Sequence, residues 1–150
     1  MTRPELLPYR ENVAAVVVNA AGAVLVGWKH GGWVLPQGGV DKAEDIESAL
    51  RRELAEEIGT SSFHIVRQAC HVHCYDWPPG TVSGAKRPYR GQRQHYFLVA
   101  FDGSDSDLKP ETTGELAQLE WLPPAEVVRQ AWKPKRPGYL AAFREFGLIT

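Results

Sequence analysis

The chain reads as an α+β fold in which a mixed β-sheet carries helices on both sides, three layers in all. Three observations lead there. The longest apolar run, Val13–Val18, has the length of a buried strand and falls far short of a membrane span. Around residues 44–58, Ala43, Ile46, Ala49, Leu50 and Leu54 recur at near-helical spacing. Strand-like and helix-like segments then interleave along a chain of 150 residues, enough for one domain, residues 1–150, to bury a core without staples.

Taken in order, Val13–Asn19 and Ala23–Trp28 read as a hairpin around the small-residue turn Ala20-Ala21-Gly22. Trp33-Val34-Leu35 is strand-like and runs through Pro36-Gln37 into a Gly38-Gly39 turn, where glycine permits close approach of backbone to a ligand. A helix is expected over Glu44–Ile58, ended by Gly59. Phe63–Tyr75 is a long strand, and the proline- and glycine-rich stretch from Asp76 to Arg90 is a loop. Gln94–Phe101 and Ala117–Leu122 return as strands, with Pro124–Ala131 and Pro137–Phe146 as closing helices.

A formal net charge of −1 gives no global pull towards nucleic acid or membrane, so any attraction to a polyanion must be local. The amino terminus lacks the apolar core of a secretory signal, and two cysteines suit a reducing compartment, so the cytoplasm is the expected location. Cys70-His71-Val72-His73-Cys74 invites a zinc reading. On a strand, however, Cys70, Val72 and Cys74 face one way and His71, His73 and Tyr75 the other, so the four groups do not converge. The thiols are expected in the core.

The chemistry is carried by Glu53, Glu56 and Glu57, which at i, i+3 and i+4 share one helix face. Like charges so close destabilise a helix unless something positive sits among them. A cluster of oxygen ligands suits a hard cation such as Mg²⁺, which shares phosphate oxygens with its substrate.

The segment from Gly38 to Thr60 resembles the Nudix hydrolase signature, with Gly38, Glu44, Arg52, Glu53, Leu54, Glu56, Glu57 and Gly59 in its fixed places and Thr60 where an apolar residue is usual. Within that superfamily, Trp33–Val40 is similar to the lead-in of bacterial RNA pyrophosphohydrolases and their dinucleoside polyphosphate hydrolase relatives. Gly91–Phe97, Gly114–Trp121, Lys135–Tyr139 and Tyr9-Arg10 resemble later segments of the same branch. His95 stands where the branch usually has lysine, and Pro134 where it has an aromatic residue.

The resemblance implies an α/β/α sandwich and a hydrolase of pyrophosphate linkages that uses Mg²⁺ or Mn²⁺. Gly38, Glu53, Glu56, Glu57 and Glu115 would hold the metal, Glu53 (or else Glu57) would be the general base, and Glu44 and Arg52 would brace the loop and helix. Arg10, Lys29, Gln92, Lys135 and Arg136 would meet phosphates round one cleft, with Tyr75 and Tyr139 packing on a base or sugar. The implied partner is a nucleotide or an RNA 5′ end, cleaved from triphosphate to monophosphate. A dinucleoside polyphosphate, or another nucleoside diphosphate derivative, is the alternative substrate. A non-catalytic sensor of the same fold would be expected to have lost metal-binding glutamates, and this chain keeps all three on the helix.

Overall fold

A computed structural model describes residues 6–78, 89–109 and 116–150. Its strands are β1 (Tyr9–Val18), β2 (Val24–Lys29), β3 (Gly32–Val34), β4 (Gln37–Gly39), β5 (Phe63–Asp76), β6 (Gly91–Phe101) and β7 (Ala117–Leu122). The helices are α1 (Ile46–Ile58), α2 (Pro124–Gln130) and α3 (Arg136–Glu145), with 3₁₀ turns at Asp105–Asp107 and Lys133–Lys135. The main path of the sheet runs β3-β2-β1-β6-β5, with β4 pairing β1 and β7 pairing β2. Strand β1 runs parallel to β6 and antiparallel to β2 and β4, so the sheet is mixed.

β1 is apolar at successive positions because both its faces are covered. Val13, Ala15 and Val17 cluster with Ala49, Leu50, Leu54 and Ile58 of α1. Ala14 and Val16 point the other way, into a cluster with Val127 and Val128 of α2 and Tyr139, Ala142 and Phe143 of α3. Period-two alternation into two cores produces the α/β/α layering. Each fully buried side chain of this kind contributes roughly 1.5–3 kcal/mol.

One irregularity sets up the site. The β1–β2 hairpin keeps a single pair, Val18 with Val24, before β2 leaves to pair with β3 and β7. The vacated edge of β1 is taken by β4, in the register Asn12–Gly39, Val13–Gly38 and Ala14–Gln37. The Ala15 amide, the next donor along, bonds the Pro36 carbonyl at 2.9 Å. Gly38 and Gly39 therefore lie in a strand, and the turn expected there is absent.

Two further expectations are corrected. Helix α1 begins at Ile46, because the Asp45 carboxylate accepts the Ser48 amide at 2.7 Å and acts as N-cap. Ala43 consequently lies outside the helix, exposed and left-handed at φ +67°, and takes no part in the apolar stripe. Cys70 and Cys74 are exposed rather than in the core. β5 is the last strand of the sheet and bulges between Gln68 and Val72, and Cys74 pairs with exposed Arg93 on a face left open at that end. The Asp76–Arg90 loop lies mostly outside the described residues.

The end of α1 rests on Gly59, left-handed at φ +70°, with the Lys109 amide donating to the Ile58 carbonyl at 2.8 Å. A Cβ at Gly59 would stand 1.8 Å from the Lys109 carbonyl oxygen. Gly59→Ala therefore combines left-handed strain of about 1–2 kcal/mol with a backbone collision. A loss of 2 kcal/mol or more, roughly, is expected in denaturant unfolding; a change below about 0.5 kcal/mol would show that this strap does not hold the helix.

Candidate active site

Helix α1 exposes its three glutamates to different degrees. Leu50, Leu54 and Ile58 fix the buried stripe, and Glu57 falls inside it at 3% exposure. The side chain of Glu53 is 13% exposed and that of Glu56 48%. A buried carboxylate needs donors; Glu57 Oε2 accepts the Gln37 backbone amide at 3.0 Å.

Arg52 is the positive group the repulsion calls for. Its Nε and NH2 each meet a Glu44 carboxylate oxygen at 2.9 Å, a forked pair, and NH2 also donates to the Gly39 carbonyl at 2.9 Å. NH1 donates to Glu53 Oε1 at 2.8 Å and lies 3.7 Å from Glu56. One guanidinium thus ties the approach to the helix, the short strand β4 and two of the three glutamates. The Glu44 carboxyl, bonded first by Arg52 and then by the Asp41 amide, is pushed down to about 2.

β4 meets α1 at each of its three residues. Gln37 gives its amide to Glu57, Gly38 lies under the Glu53 carboxyl, and Gly39 gives its carbonyl to Arg52. A Cβ on Gly38 would be 1.9 Å from Glu53 Cδ, and one on Gly39 would be 2.2 Å from an Arg10 guanidinium nitrogen. The two glycines are needed for contact with side chains rather than for a turn.

Beside β4, on the sheet face that carries α2 and α3, is a cavity of about 620 Å³. Lys29 and Lys135 lie among its walls with Trp33, Tyr75, Trp77 and Trp132, and Gln37, Gln92 and Gln130 supply amides. Tyr75 stands edge-on to Trp132 at 5.8 Å, and Lys135 Nζ lies 6.0 Å from the Tyr75 ring centre. The Tyr75 hydroxyl accepts from Gln92 Nε2 at 2.6 Å and bonds Trp77; burial raises its pKa. Polar amides among aromatic walls are what a planar heterocycle requires.

Of the residues expected to contact substrate, Lys29, Tyr75, Gln92 and Lys135 meet in this cavity, while Arg10 lies against Gly39. Two do not reach it. Arg136 turns to the end of α2, where NH2 donates to the Arg129 and Ala131 carbonyls. Tyr139, 2% exposed, is a core residue that accepts the Leu35 amide and stacks on Phe143. Helix phase explains both: the face of α3 that packs on the sheet takes Tyr139 inward. Glu115 lies outside the described residues. His95 is buried against β1, with Nε2 2.6 Å from Glu11.

The sequence reading missed Trp77, Trp132, Gln130 and the side chain of Gln37 as cavity residues. The signal available was the tryptophan content, five in 150 residues, but nothing in the order of the chain joins positions so far apart.

Among the described residues, no three acidic, histidine or cysteine groups stand together as a closed coordination set. Arg52 lies on Glu53 and Glu56, and the Gln37 amide on Glu57. The donor chemistry nevertheless fits a hard divalent cation: carboxylate oxygens along one helix face, over a glycine whose missing Cβ leaves room for Glu53.

Two outcomes follow. Gly38→Ala collides only with the tip of a flexible side chain, so the fold should hold while Glu53 is displaced. Turnover is expected to fall on the order of 10²-fold with the melting temperature nearly unchanged; equal loss of both would mean a purely structural glycine. For Glu44, a folded pKa below the usual 4.5 gives stability that is fully present above 4.5 and lost as pH falls towards 2. Melting temperatures measured across that window should fall more steeply for the wild type than for Glu44→Gln.

Residues 8–143 match the model of the NUDIX domain family. The chain is 37% identical over its full length to an RNA pyrophosphohydrolase of Bradyrhizobium diazoefficiens, 99% of which is covered. It is 38% identical to an RNA pyrophosphohydrolase of Roseobacter denitrificans, over 97% of this chain and 98% of that one. Among solved structures, a possible asymmetric diadenosine tetraphosphate hydrolase from Jonesia denitrificans superposes with a TM-score of 0.68 at 19% identity, covering 97% of this chain and 98% of that one, a likeness of fold. With the glutamate helix and its arginine brace in place, the matches over nearly the whole length establish that this chain belongs to the NUDIX domain family.

Proposed function

We propose that the protein is a single-domain, Mg²⁺- or Mn²⁺-dependent hydrolase of pyrophosphate linkages that converts 5′-triphosphate RNA ends to monophosphates. The observation that carries the reading is the meeting, across β4, of a carboxylate-rich helix and an aromatic cavity that includes two lysines. The first is suited to a metal and a water, the second to a nucleobase and its phosphates. Likeness to proteins named RNA pyrophosphohydrolase, at 37–38% identity over nearly full length, supports the choice of RNA.

The division of labour follows from position. Glu53, Glu56 and Glu57 would hold the metal, and the Gly38 carbonyl and Glu115 would complete the set. When bound, the metal neutralises phosphate charge and lowers the pKa of a coordinated water. Glu53, over Gly38 and oriented by Arg52, takes the proton from the attacking water, a contribution typically worth about 10²–10⁴-fold. Glu57, more deeply buried and bonded to Gln37, is the rival base. Lys29 and Lys135 draw phosphate oxygens into the cavity, a local attraction that the overall charge of −1 does not oppose strongly.

Glu56, half exposed, is the glutamate whose replacement tests the chemistry with least risk to the fold. Glu56→Gln is expected to lower Mn²⁺ affinity and cut turnover on the order of 10²-fold or more, with a melting temperature unchanged or slightly raised. Full activity in that variant, or in excess chelator, would overturn the mechanism. Substrate choice is read by assaying triphosphorylated RNA beside diadenosine polyphosphates at several salt concentrations. RNA adds phosphate contacts beyond the scissile chain, so its affinity should fall more steeply with salt. Turnover of diadenosine polyphosphates with none of RNA ends would make the dinucleoside hydrolase the correct reading.

A further inference from the structure

Gln37 belongs to both halves of the site. Its backbone amide donates to Glu57 Oε2 at 3.0 Å, while its side chain lines the cavity on the other side of β4. That side chain is held in place: Gln94 Nε2, on a residue with no exposure, donates to Gln37 Oε1 at 2.8 Å. Gln94 Nε2 also bonds Asn12 Oδ1 at 3.0 Å, Asn12 Nδ2 bonds Gln92 Oε1 at 2.9 Å, and Gln92 Nε2 reaches the Tyr75 hydroxyl at 2.6 Å. Tyr96 closes the other end by donating to Gln94 Oε1 at 2.9 Å. A buried amide chain therefore runs from the cavity wall at Tyr75 to Gln37, and from Gln37 a single peptide reaches the glutamate helix.

Buried amides with their partners satisfied do not shift singly, because a lost partner leaves a buried polar group unsatisfied. With Oε1 engaged by Gln94, what the Gln37 amide has left to offer a ligand in the cavity it lines is its N–H donors. A ligand that accepts from them pulls on the residue whose backbone positions Glu57, and on the strand that passes under Glu53.

We propose that Gln37 is a positioning residue that couples a nucleobase in the cavity to the placement of Glu57, so that turnover depends on the base and not on the phosphate chain alone. This rests on the reading that the cavity takes a base and that α1 carries the hydrolytic glutamates. Coupling of this kind is reciprocal: a nucleoside tightens metal binding by the same factor as metal tightens nucleoside binding.

The test compares wild type with Gln37→Ala and Gln37→Glu; the second keeps an acceptor for Gln94 and loses the donors, which guards against failure of the first to fold. Mn²⁺ is titrated with and without saturating adenosine or guanosine, whose binding is followed by quenching of the cavity tryptophans. In wild type the nucleoside should tighten Mn²⁺ roughly fivefold to tenfold, the worth of about one hydrogen bond. Both variants should bring that factor to near one, whatever their Mn²⁺ affinity without nucleoside. Kinetically, kcat for a triphosphorylated dinucleotide should fall in the variants by a larger factor than kcat for inorganic tripolyphosphate, which carries no base. A wild-type factor of one, or variants that keep the wild-type factor, would overturn the coupling while leaving the hydrolase reading intact. A wild type that neither binds Mn²⁺ nor cleaves the dinucleotide would overturn both.

Discussion

Three carboxylates on one helix face repel one another, and the structure around them is arranged to hold them. Arg52 answers the repulsion from within the helix, placing one guanidinium among Glu44, Glu53 and Glu56 and fastening it to the Gly39 carbonyl. Because the guanidinium does not lose its proton, this attraction persists across the pH range in which the glutamates are ionised. Glu57, buried on the same helix, accepts the Gln37 backbone amide. Both solutions depend on β4, a strand of three residues that exists because β2 leaves the edge of β1 early.

The cavity lies among the β2–β3 hairpin residues Lys29 and Trp33, the end of β5 and the Lys133–Lys135 turn. A metal-suited helix lies on one face of the sheet and an aromatic cavity beside the other, with β4 between them. Gln37 of β4 lines the cavity, and the β4 backbone bonds the helix. The thinness of the partition is what makes communication between them physically reasonable: it is one residue, not a long path of packed atoms.

The polar interior is unusual for its amide content. Asn12, Gln92 and Gln94 are buried polar residues within a sheet whose other inward positions are valine, alanine, leucine and aromatic. Each amide has its partners, so burial is tolerated, and a satisfied network fixes the sheet register there more sharply than apolar contact would. His95 sits buried with its Nε2 2.6 Å from Glu11.

Much of this was legible in the order of residues, because local rules govern it. Helix α1, its glycine end and the i, i+3, i+4 glutamates are set by spacings within residues 38–60, and most strands by period-two alternation, whereas the pairing of Glu44 with Arg52 was legible through the resemblance to the Nudix signature. What local rules could not decide is what lies opposite what. Cys70 and Cys74 alternate like core residues yet are exposed, because their strand neighbours Ala69 and Tyr75 are the ones turned inward and a bulge between Gln68 and Val72 breaks the alternation. Tyr139 and Arg136 sit beside Lys135 in sequence, but the phase of α3 sends one into the core and the other to the end of α2. Trp33, Trp77 and Trp132 become one cavity through pairings far apart in the chain. The sequence by itself determined the chemistry, since carboxylates on one helix face are a matter of helical pitch. Only the tertiary structure decided the aromatic cavity, since its walls are joined by packing across the sheet and by no spacing along the chain.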